Sequence, residues 1–309
     1  MLTVLTWYWV QPGGRATYLP HHVRIWGDMV RRHLSMPHRL AVVTDIPGDY
    51  GDLTVIAPPR DFEHVRIPTW GEDRGLPQCI RRIAMFAPEA GERFGERFVS
   101  MDMDCVISGS LDPLFDRPED FIMYRGTSGA RPYNGSMIMM TAGARAQVYT
   151  DFTPEGAIEA GQRFVGSDQA WISHKLGWGE ATWGPEDGVL WYGSQYNAGV
   201  DPKRLMFFPG TPKPWTLAES GRDLYVSEHY RRSPHGRCLI LGYAQNVWTD
   251  AALAMESGPF DAVIASPEAA EHWPDDVLAI AEDDEHAERL ARMHGFDDLV
   301  WCGRQKVTA

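Results

Sequence analysis

The run Phe98-Val-Ser-Met-Asp-Met-Asp-Cys-Val-Ile107 constrains the fold more than any other part of the chain. It has the continuous apolar character of a central parallel strand, which is covered on both faces. Strands of that kind belong to parallel sheets flanked by helices, and the preceding sequence supplies both. Leu2–Trp9 is a β-rich apolar run closed by Pro12-Gly13-Gly14. Tyr18–Leu34 places Val23, Ile25, Trp26, Met29, Val30 and Leu34 on one helical face and Arg24, Arg31 and Arg32 on the other. Arg39–Thr44 and Leu53–Ala57 read as the second and third strands. Leu76–Phe94 reads as a helix with Cys79, Ile80, Ile83, Ala84 and Phe86 inward. The expected class is α/β with a mostly parallel central sheet.

Beyond the run, Phe121–Tyr124 and Ser136–Thr141 read as strands and Asp168–Leu176 as a short helix. Residues 177–214 are rich in Gly, Trp and Pro, as expected of loops around a site. Near Gly236 the pattern resets. Arg237–Gly242, Phe260–Ala265, Val277–Ala281 and Asp298–Cys302 alternate as strands with helices at Thr249–Met255 and His286–His294. The expected division is a main domain over 1–235 and a small α/β domain over 236–309, the latter without readable chemistry.

Composition narrows the partners. Formal net charge is −13, so a polyanion would have to meet a local basic rim, for which Arg24, Arg31, Arg32, Arg39, Arg81 and Arg82 are the candidates. The cysteines, Cys79, Cys105, Cys238 and Cys302, have no ligand-like spacing and read as reduced thiols of a cytoplasmic protein. Met1–Val10 lacks a basic lead-in and is too short to span a bilayer, so neither a signal peptide nor a membrane span is expected. Twelve tryptophans are unusual; some are expected to line a groove, with extra core aromatics as the alternative for any one of them.

Asp102 and Asp104 interrupt the apolar run. In a continuous strand they project to one side and Met101, Met103 and Cys105 to the other. Adjacent carboxylates at the edge of an apolar core repel and lose hydration, which a cation offsets. All-oxygen ligation selects Mg2+ or Mn2+, and such ions in turn take phosphate oxygens. Two solvated aspartates in an exposed turn are the alternative.

These residues resemble a known group. Val99-Ser-Met-Asp-Met-Asp104 followed by Leu111-Asp-Pro-Leu-Phe115 is similar to the DxD strand and loop of glycosyltransferases of GT-A fold, a Rossmann-like architecture, and within them to family 8. Tyr133-Asn134-Gly135-Ser136-Met137 resembles the strand that cups the donor sugar. Gly166-Ser-Asp168-Gln169-Ala-Trp-Ile172 resembles the segment beside the transferred sugar, and Phe207-Phe-Pro-Gly210-Thr-Pro-Lys213-Pro-Trp215 the late loop that holds the diphosphate. The resemblance spans about residues 1–235 and implies the following roles. Asp102 and Asp104 hold the metal, Asp104 more directly. Lys213 with the Gly210 backbone cradles the diphosphate. Asp168 and Asn134 bond sugar hydroxyls, Gln169 sits under the anomeric carbon, and Arg81 or Arg82 contacts phosphate or sugar. Thr6 and Trp7 meet the base and ribose. The chain departs from the family in having Phe207 where a third ligand, histidine, is usual; the metal is then expected on the two carboxylates, diphosphate and water, or on a histidine from elsewhere such as His229. Ala170 replaces a third acidic residue. Plainer roles stand beside these: Asp168 and Gln169 as helix-capping residues, Asn134-Gly135 as a turn, Lys213 as a surface lysine.

The expected function is metal-dependent transfer of a sugar from a nucleotide diphosphate donor, of UDP-sugar type, to a saccharide or other hydroxyl acceptor, with retention. A hydroxymethylated DNA base as acceptor, a non-catalytic nucleotide-sugar-binding protein and a nucleotidyltransferase, the last using Gln11-Pro-Gly-Gly-Arg15, are the alternatives.

Overall fold

The computed structural model describes residues 1–10, 16–67, 78–127, 131–243, 246–257 and 259–304. The chain divides into two compact units, Met1–Thr211 and Pro212–Ala309. The sequence reading put its division at 235/236. The earlier boundary arises because the Pro214–Ser220 helix packs on the Leu224–His229 and Asp284–Met293 helices.

In the first unit the strands are β1 (Leu2–Trp7), β2 (His38–Val43), β3 (Thr54–Ile56), β4 (Arg97–Met101), β5 (Cys105–Ile107), β6 (Phe121–Arg125), β7 (Tyr133–Thr141), β8 (Ala181–Trp183), β9 (Val189–Trp191) and β10 (Leu205–Phe207). Seven of them form a sheet in the order β3-β2-β1-β4-β7-β6-β8. β3, β2, β1 and β4 run parallel; β7 turns antiparallel to β4 and β6. β5, β10 and β9 form a separate sheet. The expected α/β class with a mostly parallel main sheet is the observed one.

Helix Pro20–His33 begins on proline, whose missing N–H is no loss at a helix start. Nδ1 of His22 accepts the Leu19 amide at 3.1 Å, and Arg31, Arg32 and His33 complement the dipole at its end. Its inner face (Val23, Ile25, Trp26, Met29, Val30) is fully buried, as the spacing required. Phe86, Phe94, Phe98 and Phe121 anchor the core under the sheet; truncating one of these to alanine costs about 3–5 kcal/mol.

Two expected elements come out broken. In place of a Leu76–Phe94 helix there is a 3-10 segment, Ile80–Phe86, and a short α-helix, Ala90–Phe94; residues 76–77 lie outside the described set. Pro88 disfavours helical geometry in the residue before it, and Ala87 is extended (ψ 143°). The expected strand Arg97–Ile107 ends at Met101. Its second half, β5, pairs antiparallel with β10 in the other sheet. Asp102–Asp104 is therefore a crossover between two sheets and not the middle of one strand.

The second unit is a four-stranded, fully parallel sheet of β11 (Arg237–Leu241), β12 (Ala262–Ala265), β13 (Ala279–Ile280) and β14 (Asp298–Cys302), ordered β13-β12-β11-β14. Helices Val247–Glu256, Pro267–His272 and Asp284–Met293 connect the strands. All four cysteines are free thiols, and all but Cys79 are buried. Among the described residues no helix is long and apolar enough to cross a membrane.

Candidate functional site

The crossover is tethered at both ends by backbone. The Asp102 amide donates to the Ser136 carbonyl on β7 at 2.8 Å, and the Phe208 amide, just past β10, donates to the Asp104 carbonyl at 2.9 Å. Although these residues are not in a strand, burial still alternates: Met103 is buried and the two aspartates beside it are half-buried. Both carboxylates thus lie where β4 leaves the main sheet at its carboxyl end, the edge at which α/β sheets take their ligands.

Arg82 organises the cluster. It sits on the 3-10 segment, with only 6% of its side chain accessible, and donates in three directions. Nε and a terminal nitrogen reach Oδ2 of Asp168 at 2.8 and 2.6 Å, and the other terminal nitrogen reaches Oδ1 of Asp102 at 2.6 Å. Burial opposes the guanidinium charge, but Asp168 and Asp102 outweigh it and hold its pKa well above the ordinary value. Gly135 makes this possible: a Cβ there would lie 2.7 Å from a terminal nitrogen of Arg82 and 3.2 Å from Oδ2 of Asp168. The glycine of the Asn-Gly pair serves close approach inside β7; it does not make a turn.

The other expected residues separate into two groups. Asp168, Gln169, Asn134 and Gly135 are brought together. Asp168 is the first residue of its helix, after Ser167, and its carboxylate is spent on Arg82, so it is not the cap. Gln169 is held at both ends: Oε1 accepts the Gly135 amide at 3.0 Å and Nε2 donates to the Val165 carbonyl at 2.9 Å. Oδ1 of the buried Asn134 accepts the Ser136 amide at 2.9 Å, next to a bulge in the β6–β7 pairing. Arg81 points elsewhere, to Glu63 at 3.8 Å and over the Trp9 ring at 5.7 Å. Trp7 packs in the core against Phe94, and the hydroxyl of the buried Thr6 has no hydrogen-bond partner among the described residues. Gly210 has no neighbour within 4 Å of a built Cβ among the described residues, and Lys213 and His229 belong to the second unit. Phe207 is buried with its ring 5.5 Å from Tyr124, an apolar contact in the place where the resemblance wants a ligand.

Sequence reading missed Tyr18, whose hydroxyl donates to Oδ2 of Asp104 at 3.0 Å. Burial, then the charges of Asp104 and Asp102, push its phenol well above the ordinary range, so it stays a donor. It also missed Ser167, whose Oγ accepts the Cys79 amide at 2.8 Å and ties the 168–176 helix to the segment carrying Arg82.

Among the described residues the cluster sets Asp102 and Asp168 on one guanidinium, with Asp104 beside them on Tyr18. Burial pushes the Asp102 carboxyl up to about 6, Arg82 opposing and Asp104 and Asp168 adding repulsion. A hard divalent cation suits such a place. Among the described residues no group of three or more His, Cys, Asp or Glu side chains could hold one. An ion here would take Asp104, Asp102 and oxygens of a ligand.

Part of the expected basic rim is paired with carboxylates among the described residues. Arg24 pairs with Asp49, Arg31 with Asp28 and Asp52, and Arg39 donates to Thr3 and the Phe94 carbonyl. The Gln11–Arg15 loop of the nucleotidyltransferase alternative lies outside the described residues.

The first unit is thus a mixed α/β sheet with a carboxylate–guanidinium cluster at its carboxyl edge. No protein-family model matches the sequence, and a search of curated proteins finds no match either. Among solved structures the chain is similar to the galactosyltransferase LgtC in complex with donor and acceptor sugar analogues, at 14% identity over 74% of this chain and 95% of that one, TM-score 0.44. The apo glycosyltransferase GlyE of Streptococcus pneumoniae TIGR4 aligns at 12% identity over 98% and 80%, TM-score 0.41. The apo bifunctional glycosyltransferase WbbM aligns at 11% over 69% and 46%, TM-score 0.45.

Proposed function

We propose that the chain is a glycosyltransferase acting on a nucleoside diphosphate sugar of UDP type. The observation that carries this reading is the Arg82 clamp. Three of the segments that resemble the family's motifs meet at one buried side chain, Arg82, which reaches Asp168 from 86 positions away and ties Asp102, Asp168 and the Asn134-Gly135 strand into a single cluster beside Asp104.

In this reading Asp104 and Asp102 hold Mn2+ or Mg2+, which when bound supplies Lewis-acid neutralisation of the diphosphate. The role expected of Lys213 with Gly210, holding that diphosphate, is retained on the sequence resemblance. Asp168 and Asn134 orient sugar hydroxyls, and Arg82 fixes Asp168 for the task. Gln169, clamped at both ends, forms a rigid wall under the anomeric carbon. The bond from the anomeric carbon to the leaving phosphate oxygen breaks, and the bond to the acceptor oxygen forms on the same face. The acceptor proton passes to the leaving phosphate oxygen, giving retention. Tyr18 keeps one Asp104 oxygen oriented. A DNA base as acceptor loses its support here, because Arg24, Arg31, Arg81 and Arg82 spend their charge on carboxylates.

A thermal-shift panel of UDP-glucose, UDP-galactose, UDP-N-acetylglucosamine and GDP-mannose, with Mn2+ and with EDTA, tests the proposal. At least one donor should raise the melting temperature in Mn2+ and lose most of that effect in EDTA. A panel without any stabiliser, or release of pyrophosphate instead of nucleoside diphosphate, counts against it.

A further inference from the structure

The end of the β6–β7 pair buries a positive charge that takes no part in the carboxylate cluster. The Gly126 amide donates to the Pro132 carbonyl at 2.8 Å and brings the two strand ends together. A Cβ at Gly126 would lie 1.9 Å from the Arg131 carbonyl oxygen and 2.9 Å from its Cγ. Only glycine allows so close an approach, and it keeps Arg131 beside the end of β6. Arg131 is 8% exposed. One of its terminal nitrogens donates to Oγ1 of Thr127 at 2.7 Å, and its Nε has no hydrogen-bond partner among the described residues. The hydroxyl of Tyr124 on β6, a residue only 1% exposed, lacks a partner there too. Its ring packs on Phe207 and Trp191, with centroids 5.5 and 6.4 Å away, so packing and not a hydrogen bond holds the hydroxyl in place.

The charges around these two groups do not balance. The other deeply buried arginines, Arg81 and Arg82, face carboxylates. Arg131 faces none among the described residues, and its neighbour Arg125 is spent on Glu186 at 2.7 and 2.6 Å. Burial pulls the Arg131 guanidinium below its ordinary pKa, with Tyr124 opposing, yet an arginine keeps its proton near neutrality. Burial likewise pushes the Tyr124 phenol up against the charges of Arg131 and Arg125, so it stays a donor. A buried cation without an anion and a buried hydroxyl without an acceptor each oppose folding. One bound oxyanion satisfies both, since a guanidinium can only donate and matches a planar pair of oxygens.

We propose that Arg131 and Tyr124 form an oxyanion site, which takes a phosphate or a carboxylate group. It is opposite in sign to the Asp102–Asp104 crossover and does not depend on the transferase reading. The register pairs Tyr124 with Asn134, next to Gly135 of the Arg82 cluster, so a free anion and the diphosphate of a nucleotide are both sources of that group.

Thermal melts of the full chain at constant ionic strength test the site. The native chain, Arg131→Met and Tyr124→Phe are compared in chloride alone and with inorganic phosphate, acetate or UDP added. At least one of the three additions should raise the native melting temperature by roughly 2 °C at saturation. Arg131→Met should lose that shift, whereas general stabilisation by salt would persist in it. A shift with phosphate or acetate identifies a free anion as sufficient, and a shift confined to UDP assigns the oxyanion to a nucleotide diphosphate. Should Arg131→Met fail to fold, Tyr124→Phe decides: a shift at least halved supports the site, and an unchanged one overturns it. The absence of any shift in the native chain, or a shift that Arg131→Met keeps in full, would also overturn it. Failure of the nucleotide-sugar panel leaves the phosphate and acetate comparison intact.

Discussion

The two units contain the same parallel motif and do different things with it. In both, four parallel strands lie in the order third, second, first, fourth: β3-β2-β1-β4 and β13-β12-β11-β14. In both, the strand order reverses beside the first strand, where such sheets bind ligands beyond their carboxyl ends. In the first unit that edge carries the Asp102–Asp104 crossover, with a buried arginine behind it. In the second it is occupied by backbone. The Gly242 amide donates to the Cys302 carbonyl at 2.9 Å, the Gly303 amide donates to Asp250 at 3.0 Å, and a Cβ at Gly242 would meet the Gly303 oxygen at 2.7 Å. Topology supplies a place, and the side chains delivered there decide whether chemistry follows.

The comparison can be broken most forcefully at its arginines. Arg82→Met leaves Asp168 and Asp102 without their cation and should cost about 3–5 kcal/mol in urea denaturation. Arg237→Met in the second unit loses a surface pair with Asp298, two long hydrogen bonds to Ser257 and a contact with the Phe260 ring, and should cost about 1 kcal/mol. Similar costs for the two would mean that the clamp is ordinary. Next in size, Asp104→Asn should lower kcat/KM roughly 100- to 1,000-fold, while Asp250→Asn, at the equivalent edge of the other sheet, changes it less than about twofold. The glycines give a finer contrast. Gly135→Ala and Gly242→Ala each force an approach near 2.7 Å and should each cost about 1–3 kcal/mol, but only Gly135→Ala should also reduce transfer. The smallest effect is in pH. The fold favours the neutral Asp102 carboxyl, since burial raises it from 3.8 to about 6. Its contribution to stability is therefore complete below pH 4 and disappears as pH rises through 6. In EDTA, the native chain should lose stability relative to Asp102→Asn across that window; a flat difference would remove the burial argument.

Some of this was legible in the residues and some was not. Helix Pro20–His33 and strands β1, β2 and β11 follow the apolar periodicity, because a single face or a fully buried run determines each. The crossover at Asp102 was not readable, since Cys105-Val-Ile107 continues the apolar run and nothing local says that it joins a different sheet. Pro88 did announce the break in the expected 76–94 helix. Asp102, Asp104, Asp168 and Asn134-Gly135 were all singled out in the sequence and lie together in the structure, but the residue linking them was left between Arg81 and Arg82. Adjacent residues on a 3-10 segment point about 120° apart, and only the packing says which of the two buried arginines faces the carboxylates. Tyr18 escaped because its partner is 86 positions away and its own segment carries no motif.

The central claim is that Asp102 and Asp104 serve a nucleotide sugar at the sheet edge. Its most direct test is the rate of nucleoside diphosphate release from the stabilising donor in Mn2+, compared between the native chain and the Asp102→Asn, Asp104→Asn double variant. The account predicts release by the native chain that EDTA stops and at least a 100-fold slower rate in the double variant. Equal rates in the two proteins would contradict it.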